Sequence, residues 1–206
     1  HFPQPNKYPV NLTVDRVFFL VYNYNIMKTY ITSDLHFEHA NIKKFCPVTR
    51  ARFADVTDMR EKMIQEWNDI LTAQDTVYIL GDVAFCSAEQ ATAIMQRLNG
   101  KKILIEGNHD IKLLKDNSFR KCFAEVHSYL RLNYAGQLII MCHYPFAEWD
   151  QMHRGSINLH GHLHGNVSGM EKFRSRDMGM DATGKIVITM EEAIASALTG
   201  EIKRHH

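Results

Sequence analysis

The sequence is poor in the features that would set it apart from ordinary globular proteins. Its four cysteines, Cys46, Cys86, Cys122 and Cys142, are widely spaced and form no C-x-x-C pair, which excludes a zinc knuckle and a dithiol redox motif. A reducing cytoplasm is the compartment expected from that usage. Charge of one sign is also missing: 24 basic residues against 23 acidic ones give a formal net charge of +1. That balance gives no argument for a polyanion-binding surface or a membrane face, so any nucleic-acid contact would have to be local. Long hydrophobic runs are absent too. The densest one near the start, residues 17–22 (VFFLVY), falls far short of the roughly 20 residues of a membrane span and lacks a signal-peptide cleavage pattern. No repeat, low-complexity stretch or charge block interrupts residues 28–200, so they read as one unit.

What is present is an apolar fraction of 45% beside 23% charged residues, a balance that supports a packed core. A chain of 206 residues fits one such core. Residues 1–26 read differently, holding three of the five prolines and ending before Met27-Lys28, where a strand pattern begins. The expectation is a native start at Met27, with 1–26 an N-terminal extension, 27–202 a single domain and 203–206 a C-terminal tail. His1, His205 and His206 read as tag remnants. The sequons at Asn11 and Asn166 carry no weight in a cytoplasmic protein.

Short runs rich in β-formers occur at 28–32 (KTYIT), 76–80 (TVYIL), 101–105 (KKILI), 137–142 (QLIIMC) and 185–189 (KIVIT), each of strand length. Between them, Met59, Met63, Trp67, Ile70 and Leu71 recur at helical spacing over 55–71, a stripe that is core by default. Ser87 with Gln90 and Thr189 with Glu192 stand in capping-box positions. Ala135-Gly136 marks a hairpin within 123–142. Strands alternating with helices predict an α/β domain, and the hairpin makes its sheet mixed.

The polar residues that follow the strands carry the chemistry. Asp34 and His36 follow the first; Gly81-Asp82 the second; Gly107-Asn108-His109-Asp110 the third; His143 the hairpin strand; and His160-Gly161-His162-Leu163-His164 the segment after it. Strand ends in open α/β sheets converge on one edge, so these loops can meet. Imidazole mixed with carboxylate oxygen suits manganese, iron or zinc better than calcium or magnesium. In Asp34-Leu35-His36 and His162-Leu163-His164, alternation along an extended segment would put both polar members on one face, with the leucine turned inward. Gly81, Gly107 and Gly161 precede candidate ligands, as expected where the backbone turns sharply or approaches closely.

The series D-L-H, G-D, G-N-H-D, H-Y-P and G-H-L-H, in that order, resembles the calcineurin-like metallophosphoesterase superfamily across residues 28–182. The runs D-L-H-F-x-H-A-N-I and L-H-G-H-L-H-G also resemble a branch of small bacterial and phage phosphoesterases. This resemblance implies two mixed β-sheets packed as an αββα sandwich. It implies two divalent metal ions, with manganese expected first and iron, zinc, nickel or cobalt as alternatives. Asp34, His36 and His164 would hold one ion, Asn108, His143 and His162 the other, and Asp82 would bridge them. The activity implied is attack on a phosphate ester by a metal-bridging hydroxide, with His109 as general acid.

The second motif, Gly-Asp-Val-Ala-Phe, lacks the arginine of the G-D-x-x-D-R-G run of Ser/Thr protein phosphatases, which counts against a phosphoprotein substrate. A small domain with an open cleft favours phosphodiesters such as nucleotides or nucleic-acid ends. The alternatives are a phosphomonoesterase, a nucleotide pyrophosphatase, or a non-catalytic scaffold of the same fold. Around this core of residues, His39 is weighed evenly between site and surface. Asp110 is read as opening a helix more than orienting His109. His160 is read as a hydrogen-bonded core histidine more than a support for the ligands. Arg50, Arg52 and Arg154 are candidate phosphate clamps, with a solvated surface role favoured for each. Cys142 is read as core, and Trp149 is unassigned between substrate stacking and loop packing.

Overall fold

The computed structural model describes residues 27–203; residues 1–26, with Asn11, and the terminal His205 and His206 lie outside the described residues. Among the described residues, nine strands form two sheets. The first contains β1 (Thr29–Thr32), β2 (Thr76–Ile79), β3 (Lys101–Ile105), β4 (Glu125–His127) and β9 (Ile188–Thr189), in the order β4-β3-β2-β1-β9. The second contains β5 (Leu130–Tyr134), β6 (Gln137–Met141), β7 (Ile157–His160) and β8 (Ser175–Asp177), in chain order. Both sheets are mixed. β9 runs antiparallel to β1 in a sheet otherwise parallel, and β5 antiparallel to β6 in the other.

Alternation along the strands sorts side chains between two cores. Ile31, Leu80 and Ile105 face the second sheet and pack with Ile139, Met141, Ile157 and Leu159. Tyr30, Val77, Ile79 and Leu104 face the other way, under helix Val56–Ile70, and meet Met59, Met63 and Trp67. The result is two mixed sheets flanked by helices, the architecture implied by the motif series. Trp67 is fully buried and donates its indole N–H to the Asn99 carbonyl at 3.0 Å, so its truncation would cost about 3–5 kcal/mol.

The start signals act as expected. Ser87 with Gln90 and Thr189 with Glu192 form complete capping boxes for helices Ala88–Gln96 and Met190–Leu198. Ala135 and Gly136 both take positive φ, 48° and 83°, the turn that matches strand twist in a two-residue hairpin. Two expectations are corrected. Ile70 does not join the helical stripe and is 42% exposed, because it lies on the last turn, one position off the buried face. The run at 185–189 yields only two strand residues, since Thr189 must turn to cap the following helix.

Candidate metal centre

The loops after β1 and β2 are laced together by backbone bonds from Asp34 N–H to Gly81 O, His36 N–H to Asp82 O and Phe37 N–H to Val83 O, each 3.0 Å. This brings the two polar segments side by side. The expected extended alternation is not what aims the side chains. Asp34, His36, Asp82, His162 and His164 all adopt left-handed φ, between 49° and 73°, a conformation that costs about 1 kcal/mol or more per non-glycine residue. Sharp single-residue turns, not a pleat, bring both members of each D-L-H and H-L-H triplet to the site. Leu35 is buried as expected, whereas Leu163 is only half-buried. Close approach explains the glycines. A Cβ on Gly81 would stand 2.6 Å from Gly107 N and 2.7 Å from His143 Nδ1, and one on Gly161 would collide with Ser33 Oγ.

Two of the three donor clusters among the described residues are built from these loops alone: Asp34, His36 and His164 form one, and Asp82, His143 and His162 the other, while the third joins His164 to Cys46 and Asp181. Asp82 Oδ2 stands between the first two, 3.6 Å from His36 Nε2 and 3.5 Å from His143 Nε2. His143 Nδ1 lies 2.7 Å from the Leu80 carbonyl, an acceptor that places the ring proton on Nδ1. In the neutral ring, Nε2 is then a lone pair, facing Asn108 Oδ1 at 3.1 Å as well as Asp82. In the other cluster, Asp34 Oδ1 and both ring nitrogens of His36 are buried without a hydrogen-bond partner. Each such orphan would cost about 1–3 kcal/mol. Lone pairs converging from nitrogen and carboxylate oxygen fit a borderline divalent cation in each cluster.

The electrostatics agree with an ionised site. Burial pushes the Asp82 carboxyl up, but the neighbouring His143 imidazole and the His109 N–H outweigh it and hold it at about 2. Burial also raises Asp34, and His36, His143 and His164 overcome it, leaving the carboxyl below its ordinary value. His162, at the exposed lip, is lowered by partial burial and by His143.

Around the donors lies a layer that the sequence left largely unread. Asp181, among the motifs of none of the five loops, takes His164 Nδ1 at 2.9 Å on Oδ2. Arg50 grips the same carboxylate through Nε at 2.8 Å and Nη2 at 2.9 Å, and also donates to the Asp34 and Leu35 carbonyls. Arg50 is therefore neither a phosphate clamp nor a surface residue: it is fully buried because its donors are consumed by the site's own frame. Asp110 does open a short helix, Asp110–Leu113, but its buried carboxylate accepts from the backbone N–H groups of Asp82, Val83 and Gly107 and ties the second and third loops together. Burial raises that carboxyl to about 6.

The remaining candidates separate clearly. His109 places its ring at the mouth, with Nε2 3.8 Å from Asp82 Oδ2. His39 reaches the site, its ring edge-on to His36 at 5.4 Å, and burial lowers its pKa. His160 is a core histidine, bonded through Nδ1 to the Gly161 carbonyl at 2.9 Å. Arg52 is a surface residue paired with Glu66, and Arg154 is exposed on the single turn Met152–Arg154. Cys142 is core, and Trp149 packs its loop against Ile140 and Met152 while donating to the Ser156 carbonyl at 3.2 Å.

Fold and donor set together describe an α/β sandwich with a candidate metal site at its strand ends. The pattern of the calcineurin-like phosphoesterases matches residues 27–193, and the chain belongs to that family, whose members bind divalent metals. An uncharacterized protein of Methanocaldococcus jannaschii is 33% identical over 144 residues, covering 69% of this chain and 72% of that one. The gene 66 protein of Mycobacterium phage L5 is 26% identical over 188 residues, covering 77% and 89%. A crystal structure of a protein of unknown function from Aquifex aeolicus shares the fold with a TM-score of 0.63 at 24% identity, over 81% of this chain and 97% of that one. Among the described residues, no helix is long and apolar enough to cross a membrane.

Proposed function

We propose that this protein is a metal-dependent phosphoric ester hydrolase of the cytoplasm that uses two divalent cations, manganese first among them, to cleave phosphodiesters of nucleotide type. The observation that carries this reading is the position of Asp82 Oδ2 between His36 and His143, at 3.6 and 3.5 Å, the place for a carboxylate shared by two cations. When bound, such a pair lowers the pKa of a coordinated water and offsets negative charge on phosphate oxygens.

The chain's own residues do the rest. Asp34, His36 and His164 would hold one cation and Asn108, His143 and His162 the other, and Asp110 fixes the backbone from which Asp82 projects. His109, 39% exposed in its side chain and anchored by its N–H to Asp82 Oδ1 at 3.0 Å, is placed to give a proton to the departing oxygen. The diester reading is supported by charge: Arg50 and Arg52 are committed to Asp181 and Glu66, so neither offers a free guanidinium to the dianion of a monoester.

The test is hydrolysis of bis-p-nitrophenyl phosphate and p-nitrophenyl phosphate with manganese supplied. Faster cleavage of the diester supports the reading, and Asp82→Asn should lower it by at least about 10²-fold. Cleavage of the monoester alone would replace it with a phosphomonoesterase, and an unchanged rate in Asp82→Asn would remove the mechanism.

A further inference from the structure

Beside His109 lies an aromatic ring that the hydrolytic chemistry does not use. Phe85 is 51% exposed, yet it is held firmly. Its N–H donates to the Phe37 carbonyl at 2.8 Å, and Ala84 before it bridges Phe37. Its ring meets His39 at 4.5 Å and 67°, and His109 at 5.2 Å and 70°. A ring so placed gains little from the core and loses little freedom when a ligand arrives, which suits a stacking platform. It lines a cleft of about 400 Å³ together with Asn108, His109, Lys112 and Leu113. Of the residues lining the cleft, exposed Lys112 carries a cationic side chain, and it has no ion pair among the described residues.

We propose that this cleft is a subsite for single-stranded nucleic acid: it receives the nucleoside on the leaving side of the scissile phosphate, stacks its base on Phe85 and pairs the next phosphate with Lys112. The inference rests on the phosphodiester reading of the metal centre, which puts His109 on the leaving side. An apolar ligand or a mononucleotide would leave Lys112 without an anion. A duplex keeps its base faces inside the stack, so a protruding ring at the site takes an unpaired strand.

The experiment uses full-length zinc-loaded protein carrying Phe85→Trp, whose two native tryptophans, Trp67 and Trp149, are buried and supply a constant background. Stopped-flow mixing with hexathymidylate should quench the new indole before product forms. A hexamer of abasic deoxyribose phosphate, or inorganic phosphate, should not. In steady state, Phe85→Ala should raise KM for hexathymidylate roughly tenfold, with Phe85→Trp restoring it. Lys112→Gln should reduce the slope of log KM against log salt by about 0.7. Absence of quenching, equal quenching by the abasic hexamer, or a Phe85→Ala KM within about twofold of wild type would overturn the subsite. Turnover of bis-p-nitrophenyl phosphate by the wild type tests the hydrolytic reading separately. Quenching without any turnover would sink hydrolysis, and with it the leaving-side assignment, and leave only single-strand binding at Phe85 standing.

Discussion

His164 Nδ1 lies 2.9 Å from Asp181 Oδ2, so the carboxylate fixes which imidazole nitrogen carries the proton. Nε2 is left as a lone pair, 3.7 Å from Asp34 Oδ1. The Arg50 guanidinium holds that carboxylate from the other side, and against the upward push of burial the His164 hydrogen bond and Arg50 together keep it well below the usual range. A proton donor, a carboxylate and an imidazole thus form a chain that ends at the first donor cluster.

Asp181→Asn should therefore weaken one metal site more than the other. Titration calorimetry with zinc or manganese should show one of two binding events weakened by about 10–100-fold, the effect of losing an outer partner of a ligating histidine. Two unchanged affinities would show that His164 does not bind metal through Nε2.

Arg50→Met tests the same chain by stability. Removing one partner of a buried ion pair leaves Asp181 charged and uncompensated, at a cost of about 3–5 kcal/mol. Denaturant unfolding should read a loss of that size, and a loss below about 1 kcal/mol would place Arg50 in water.

His109→Gln should lower kcat in a way that depends on the leaving group. An alkoxide needs a proton as it departs, so a nucleotide diester should slow by about 10²–10⁴-fold. p-Nitrophenolate departs unaided, so its ester should slow far less. Equal losses with both substrates would assign His109 to phosphate binding.

Cation binding should stabilise the fold, because Asp34 Oδ1 and His36 exchange an unpartnered burial for ligation. At one hundred times the Kd the gain is about 2.7 kcal/mol per site, so Tm should rise with manganese and fall with a chelator. A Tm independent of both would contradict ligation by buried groups.

The free cysteines should be inert near neutral pH. Burial pushes the Cys46 thiol up to about 12, with Asp181 adding to it, and the Cys86 thiol up to about 11. Since the thiolate is the reactive form, labelling by Ellman's reagent at pH 8 should be slow for both in the native protein and complete after denaturation. Fast native labelling of Cys46 would contradict its burial.

The polar residues at strand ends were legible because each follows a run whose strand character is itself legible, and because five such motifs occur in order. Capping boxes at Ser87 and Thr189 were readable from local spacing alone. β7 was not, since buried Asn158 and His160 interrupt its apolar pattern. Asp181 lies 17 residues beyond His164, in a stretch without periodicity, and only the fold brings the two together. Arg50 was read against the usual solvation of arginine. Its burial depends on two adjacent carbonyls and a carboxylate from two separate segments, a convergence that no single window of sequence contains. The left-handed turns at Asp34 and Asp82 were hidden for a related reason. They are strained conformations that the assembled site imposes against local preference.

The most direct test is anomalous diffraction from crystals grown with manganese. Two peaks are expected, one among Asp34, His36 and His164 and one among Asn108, His143 and His162, with Asp82 in contact with both. A single peak, or none at these side chains, would contradict the two-cation site.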